Sequence, residues 1–115
     1  MTLLLILNRR PYDGTDVTWN ALRLAAQALK DSLRVRIFLM NDSVDLARAG
    51  LKKEGDFDLQ KMLLDAIAQG VEVKLCKTCI TRCGIGEGGT RPEVAVGTMP
   101  ELVEWIADSE RVVTF

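Results

Sequence analysis

Near its amino terminus the sequence reads Thr2-Leu3-Leu4-Leu5-Ile6-Leu7-Asn8-Arg9-Arg10-Pro11, an uninterrupted apolar run followed by a polar turn. A strand of a parallel sheet is covered on both faces, so it is apolar throughout rather than alternately apolar and polar. Four later segments read as strands separated by helix-forming or loop sequence, at residues 35–40, 71–75, 94–96 and 111–115. The sequence therefore predicts five strands.

Two long amphipathic helices are predicted between these strands, at residues 15–31 and 58–69, because apolar side chains recur there at helical spacing. The predicted buried positions are Val17, Ala21, Leu24, Ala25 and Ala28 in the first helix and Leu59, Met62, Leu63, Ala66 and Ile67 in the second. Thr15 or Asp16 is expected to cap the first helix. Gly70 stands where a helix commonly ends in a left-handed residue.

A capping-box sequence, Thr98-Met99-Pro100-Glu101, predicts the start of the last helix. In a capping box the side chains of the first and fourth residues each accept a hydrogen bond from the other's backbone amide. Its apolar face is predicted to contain Met99, Leu102, Val103 and Ile106. Short helices are expected at 44–49 and 77–82, and residues 84–92 are expected to form a mobile, glycine-rich loop. The alternation of strands and helices predicts an α/β fold with a parallel sheet and helices on both faces.

Composition excludes several classes of function. The chain has 115 residues and a formal charge of −1, with both signs spread along it, which gives no basic footprint for DNA or RNA. The run Thr2 to Leu7 is too short to span a bilayer. Arg9 and Arg10 follow that run instead of preceding it, unlike a secretory signal. We therefore expect a cytoplasmic protein with no nucleic-acid or membrane partner.

All three cysteines lie within one short segment, as Cys76-Lys77-Thr78-Cys79-Ile80-Thr81-Arg82-Cys83, and the chain contains no histidine. Ligands of open α/β sheets gather at the carboxyl ends of the strands. These ends are marked by Asn8 and Arg9, by Asn41 and Asp42, by Cys76, and by Gly97 and Thr98. Topology alone therefore predicts Cys76 at the functional edge. There a helix beginning after it, with the charges of Lys77 and Arg82, would favour a reactive thiolate.

Other interpretations of the cysteines stay open. Cys76 is alternatively a small buried hydrophobic residue at a strand end. Cys76 and Cys79 form a C-x-x-C pair that can cycle between dithiol and disulfide. Three thiolates can also hold zinc or an iron–sulfur cluster, but no fourth soft ligand is present, so we expect neither a metal nor another cofactor. Cys79 and Cys83 are otherwise packing residues. Residues 84–89 are glycine-rich, but no Lys-Ser or Lys-Thr follows the last glycine, so the segment does not match a phosphate-binding loop.

The chain resembles the DsrE/DsrF-like family, which includes YchN-like proteins, over nearly its whole length. The matching segments are 20–25, 35–39, 41–44, 61–63, 70–73, 76–79, 97–102 and 112–115. The resemblance implies a single three-layer α/β/α domain over residues 1–115, with a five-stranded parallel sheet in the order 43215. It also implies homo-oligomers, often trimers or hexamers. One departure is that Cys83 precedes Gly84 and displaces Arg82 from the family's Arg-Gly pair.

In the sulfur-relay members of the family, a cysteine at the end of the third strand accepts sulfur as a persulfide. Cys76 matches that position, and Cys79 matches a second cysteine of many YchN-like members. The resemblance thus implies a small sulfur-carrier protein with Cys76 as acceptor and with donor and acceptor proteins as partners. Two other hypotheses are an oligomeric small-ligand-binding module without catalysis and a thiol-redox protein that uses Cys76 and Cys79.

Overall fold

The computed structural model describes residues 1–115. Its strands are β1 (Thr2–Leu7), β2 (Arg34–Leu39), β3 (Glu72–Cys76), β4 (Ala95–Gly97) and β5 (Arg111–Thr114). Its α-helices are α1 (Val17–Lys30), α2 (Leu59–Ala68), α3 (Lys77–Arg82) and α4 (Met99–Ala107), and a 3₁₀ helix spans Asn41–Ala47. The predicted elements are confirmed, with their ends shifted by at most two residues. The exception is the helix expected at 44–49, which is the 3₁₀ helix.

All five strands are parallel and lie in the order β4-β3-β2-β1-β5, as the family resemblance implied. Helices α1 and α2 pack side by side on one face of the sheet. Helix α4 covers the other face, where the Trp105 ring meets Phe38 of β2 edge to face. The result is the predicted three-layer α/β/α arrangement, in which the central strands β1 and β2 are mainly buried and the edge strands β4 and β5 are mainly exposed.

The ends of the helices follow the local sequence closely. Asp58 caps α2 by accepting a hydrogen bond from the Lys61 amide at 3.0 Å. Both halves of the Thr98–Glu101 capping box are present at the start of α4. The predicted cap of α1 is wrong for Asp16, whose side chain makes no capping bond. Thr15 Oγ1 instead accepts from the Val17 amide at 3.4 Å. The Asp13 carboxylate accepts from the Thr15 amide at 2.9 Å and shapes the turn before the helix.

Two predicted helix faces are rotated in the structure. Leu24 of α1 is exposed, because the buried stripe runs through Thr18, Ala21, Leu22, Ala25 and Ala28. On α4 the buried residues are Leu102 and Trp105, and Met99, Val103 and Ile106 face outward. Trp105 orients α4 because its ring packs on Phe38 and lies over the cationic groups of Arg36 and Lys74. None of the helices has the length and apolar character needed to cross a membrane.

Candidate functional site

Cys76 is the last residue of β3 and lies beside Gly97 of β4 in the sheet. It is also the N-cap residue of α3, and its Sγ accepts a hydrogen bond from the Cys79 amide, with Sγ and N 3.3 Å apart. The thiol side chain is therefore held where strand becomes helix, as the sequence predicted. Cys76 is only 8% exposed, however, as in the alternative in which it is a small buried residue at a strand end.

Gly97 permits the close approach of β4 to the rest of the site. A Cβ atom at this position would lie 3.0 Å from Cε2 of Phe38 and 3.2 Å from Cβ of Lys74. Such contacts are tighter than normal packing, so a side chain here would push β4 away from β3. The glycine predicted at this strand end thus permits close packing of β4 against Phe38 and Lys74.

Cys79 is held by a segment that follows a different strand. Its Sγ accepts a hydrogen bond from the Asn41 amide, with N and Sγ 3.2 Å apart. Asn41 has a φ of +50°, a left-handed conformation that asparagine tolerates better than most residues. Its side-chain Nδ2 donates to Oδ1 of Asn8 at 2.9 Å. The predicted meeting of strand ends is therefore confirmed for β1, β2 and β3, which Asn8, Asn41 and the cysteines join.

Cys83 ends α3 and faces the same segment. Its Sγ lies 3.9 Å from Oδ1 of Asp42 and 4.0 Å from the backbone oxygen of Asn41. All three cysteines are reduced. The α3 helix therefore presents Cys79 and Cys83 toward the 3₁₀ helix, while Cys76 lies beneath its first turn.

The surroundings of Cys79 and Cys83 favour the protonated thiols. Burial raises the pKa of Cys79, and the adjacent Cys76 thiol raises it further, whereas the Asn41 amide acts in the opposite direction. Burial also raises the pKa of Cys83, and the Asp42 carboxylate adds to this effect because a thiolate beside it would be repelled. At neutral pH both residues are therefore mainly neutral.

The charges expected near the sulfur lie elsewhere. Lys77 and Arg82 are exposed and form neither an ion pair nor a side-chain hydrogen bond. Charges in solvent act weakly on a buried group because water and salt screen them. Arg9 pairs with Asp13 at 3.5 Å and does not reach the cysteines. Backbone amides are therefore the polar groups that contact the sulfur atoms of Cys76 and Cys79.

The glycine-rich loop is anchored beside the site. The Ala49 amide donates to the Gly89 oxygen at 2.9 Å, and the Arg91 amide donates to the Ala47 oxygen at 2.8 Å. These bonds join the loop to the end of the 3₁₀ helix. Between the loop, α3 and Val96 of β4 lies a cleft of about 450 Å³. The expected loop is present and borders the cysteine segment, but part of it is tied down by backbone pairing.

The structure groups no three Cys, Asp or Glu side chains in the arrangement of a metal site. The residue whose role the sequence analysis missed is Asn41, which was placed at a strand end but given no contact with a cysteine. The available signal was its residue type, because asparagine is one of the few residues other than glycine that adopt a left-handed conformation. That conformation turns its amide toward α3.

The profile of the DsrE/DsrF-like family matches residues 1–115. Protein YchN of Escherichia coli strain K12 is 38% identical over 116 residues, which cover 98% of this chain and 97% of YchN. The crystal structure of the E. coli YchN protein superposes with a TM-score of 0.90 at 37% identity, over 100% of this chain and 99% of that one. MTH1491 from Methanobacterium thermoautotrophicum, of unknown function, shares the fold with a TM-score of 0.69 at 15% identity, over 99% of this chain and 97% of that one.

Proposed function

The chain belongs to the DsrE/DsrF-like family, and on that premise we propose that it is a cytoplasmic sulfur carrier in which Cys76 accepts sulfur from a donor protein and passes it to an acceptor protein. One observation carries the proposal: the Cys79 amide donates to Cys76 Sγ at the carboxyl edge of the sheet. This hydrogen bond fixes the Cys76 sulfur at the point where β3 becomes α3. Family membership is consistent with a role in sulfur relay.

Loading is a thiol–disulfide type of exchange. The Cys76 thiolate attacks the outer sulfur of a donor persulfide, and the donor leaves as its own thiolate. Cys76 then carries one additional sulfur, and no external oxidant or reductant is consumed. The persulfide needs a place in which to stay intact, and a cysteine that is 8% exposed offers one.

The burial of Cys76 also requires an opening step. The cleft between α3 and the glycine-rich loop lies on the side of the site away from Asn41, and Lys77, next to Cys76, is one of its lining residues. Displacement of α3 toward solvent would expose Cys76 from this side. We propose that a donor or acceptor protein binds at this cleft and reaches Cys76 through it.

Intact mass spectrometry after exposure to inorganic polysulfide tests the carrier function. The protein should gain the mass of sulfur on Cys76, and Cys76→Ser should abolish that gain while circular dichroism stays unchanged. Cys83→Ser is the matched control, since it removes a thiol from the same segment and should load normally. Sulfur found on Cys83, or uptake that survives Cys76→Ser, would contradict the proposal.

We also propose that the protein is a homo-oligomer, a trimer or hexamer, and that the outer face of α4 contributes to the contact. Trp105 and the apolar side of α2 could also serve such a contact, but they are mainly buried in the protein's own core. Met99, Val103 and Ile106 instead form an exposed apolar stripe on α4, at spacings of four and three residues. Exposed apolar patches of this kind commonly mark association surfaces.

Light scattering at micromolar protein concentration measures the assembly directly. We expect a mass several times that of one chain, and Val103→Glu should lower it because a charge would have to be buried in the contact. Leu24→Glu on α1 is a control, because it places the same charge at an exposed apolar position on the opposite face. A monomeric wild-type protein would rule out the oligomer.

A further inference from the structure

We propose a further activity that rests on the carrier function: Cys79 attacks the Cys76 persulfide, forming a Cys76–Cys79 disulfide and releasing hydrosulfide. The protein would then convert bound sulfane sulfur to sulfide, in addition to passing it on. The site holds a second thiol next to the sulfur-accepting one, with hydrogen bonds that fix both, and simple carriage does not require it.

The two cysteines lie close enough for a disulfide to form after a small movement of α3. Cys76 is the N-cap of α3 and Cys79 is its third residue, so the Cys76 side chain curls over the first turn toward Cys79. The 3.3 Å separation of Cys76 Sγ from the Cys79 amide shows how close the first sulfur lies to the second residue. Disulfides require Cβ atoms about 3.5–4.5 Å apart, and side chains three residues apart at a helix start lie within about 5–6 Å. A small adjustment of the six-residue α3 therefore suffices.

Cys79 is also positioned from outside its own helix. The Asn41 amide donates to its Sγ at 3.2 Å, and Asn41 is held in a left-handed conformation with its side chain bonded to Asn8. The amide stabilises negative charge on Cys79 Sγ as the thiol ionises. No such backbone donor contacts Cys83, whose Sγ faces the Asn41 oxygen and the Asp42 carboxylate. The structure thus distinguishes Cys79 from Cys83 as the attacking residue.

The step balances without an added reagent. The Cys79 thiol first gives its proton to solvent, and its thiolate then attacks the inner sulfur, Sγ of Cys76. The bond between Cys76 Sγ and the outer sulfur breaks, and its electron pair leaves with the outer sulfur as HS⁻. The two cysteine sulfurs are oxidised to the disulfide while the sulfane sulfur is reduced. A dithiol reductant, such as dithiothreitol in the experiment below, restores the two thiols for another cycle.

The titration of Cys79 gives the release a pH dependence. Burial and the Cys76 thiol raise the pKa of Cys79, with Cys83 acting in the same direction and the Asn41 amide in the opposite one. Asp42 on the 3₁₀ helix is the nearest carboxylate to this cluster and bears on Cys83. Only a small fraction of Cys79 is thiolate at neutral pH, so a loaded persulfide persists there. Release should accelerate as pH rises toward the Cys79 pKa.

The experiment compares wild-type protein with Cys79→Ser and with the matched control Cys83→Ser. Each protein, first reduced with dithiothreitol and freed of it, is treated with inorganic polysulfide, freed of excess reagent, and followed by intact mass, peptide mapping and bimane trapping of sulfide. Wild type and Cys83→Ser should release one sulfide per loaded chain and form the Cys76–Cys79 disulfide. Cys79→Ser should keep its persulfide at least about tenfold longer. In wild type the release should speed up between about pH 6 and about pH 9.

Each failure has a distinct meaning. If Cys79→Ser carries sulfur on Cys76 but the wild type neither releases sulfide nor forms the disulfide, this inference is overturned and the carrier function stands. Migration of the added sulfur to Cys79, instead of its release, also overturns it. If no variant takes up sulfur on Cys76, the carrier function and the release activity fail together.

Discussion

Arg36 lies inside the molecule, 5% exposed, on the face of β2 that α4 covers. Its guanidinium is 5.3 Å from the centre of the Trp105 ring, and Nη2 is 3.3 Å from Oδ2 of Asp108. Nε and Nη1 are buried and have no hydrogen-bond acceptor. We predict that Arg36→Met stabilises the protein, because methionine keeps much of the side chain's length while removing the unsatisfied donors.

The magnitude follows from the interactions that the substitution removes and those that it adds. A buried donor without a partner costs about 1–3 kcal/mol, and Arg36 has two. Arg36 forms ion pairs with Asp108 and, through Nε at 3.8 Å, with Glu72. Each contributes at most about 1 kcal/mol, since the two carboxylate side chains are 74% and 45% exposed. The cation–π contact contributes about 0.5–2 kcal/mol, which a sulfur–aromatic contact of methionine with Trp105 partly replaces. The net gain should be about 1 kcal/mol or more, in line with other buried ion pairs replaced by apolar residues.

Urea denaturation followed by circular dichroism measures the change in unfolding free energy, at one fixed protein concentration because assembly affects apparent stability. The midpoint should rise without a change in slope. Arg34→Met is the control, since Arg34 lies on the same strand but is exposed and pairs with Glu72 at 2.6 Å. It should change stability by less than about 1 kcal/mol. A loss of more than about 1 kcal/mol in Arg36→Met would show that the buried donors are satisfied in solution, and the reasoning would be wrong.

Two further predictions concern the helix caps and metal content. Asp58→Ala should lower the unfolding free energy by about 1 kcal/mol, because it removes the cap of α2, whereas Asp16→Ala should have little effect, as Asp16 makes no capping bond; equal losses in urea denaturation would refute this difference. Protein purified anaerobically should contain no stoichiometric zinc or iron by elemental analysis, because the chain supplies three cysteines and no histidine. About one zinc, or several irons, per chain would contradict that expectation.

The sheet could be predicted from sequence because β1 is a continuous apolar run and segments of helix length separate it from the later strands, which mix apolar and charged residues. Local backbone features could also be predicted. Gly70 adopts the expected left-handed conformation, with a φ of +106°, and the Thr98–Glu101 capping box forms as expected. The rotation of α4 about its axis was not predictable from apolar spacing alone. The rotation depends on Arg36 of β2 and Lys74 of β3, whose charged groups lie against the Trp105 ring. Spacing shows that a helix has an apolar side but not which side the sheet will select.

The candidate site, like the fold, could be predicted from the sequence only in part. Topology placed Cys76, Asn8 and Asn41 at one edge, since the carboxyl ends of parallel strands meet there. The burial of Cys76 was only one of the alternatives that the sequence left open, because burial depends on how closely neighbouring strands pack, and Gly97 lets β4 lie against Phe38 and Lys74. The hydrogen bond from Asn41 to Cys79 was missed, since it joins residues 38 positions apart.

The segments that enclose Cys76 hold one another through backbone bonds. The 3₁₀ helix is joined to Cys79 through Asn41 at its start, and to the glycine-rich loop through Ala47 and Ala49 at its end. A bound persulfide would therefore be shielded from the small thiols that fill a cell and consume free persulfides. Uptake, delivery and accidental loss would all pass through the same brief opening. In such a carrier, the rate at which the segments around Cys76 open would limit the accidental loss of sulfur. A partner protein that stabilises the open form would determine which acceptor receives the sulfur.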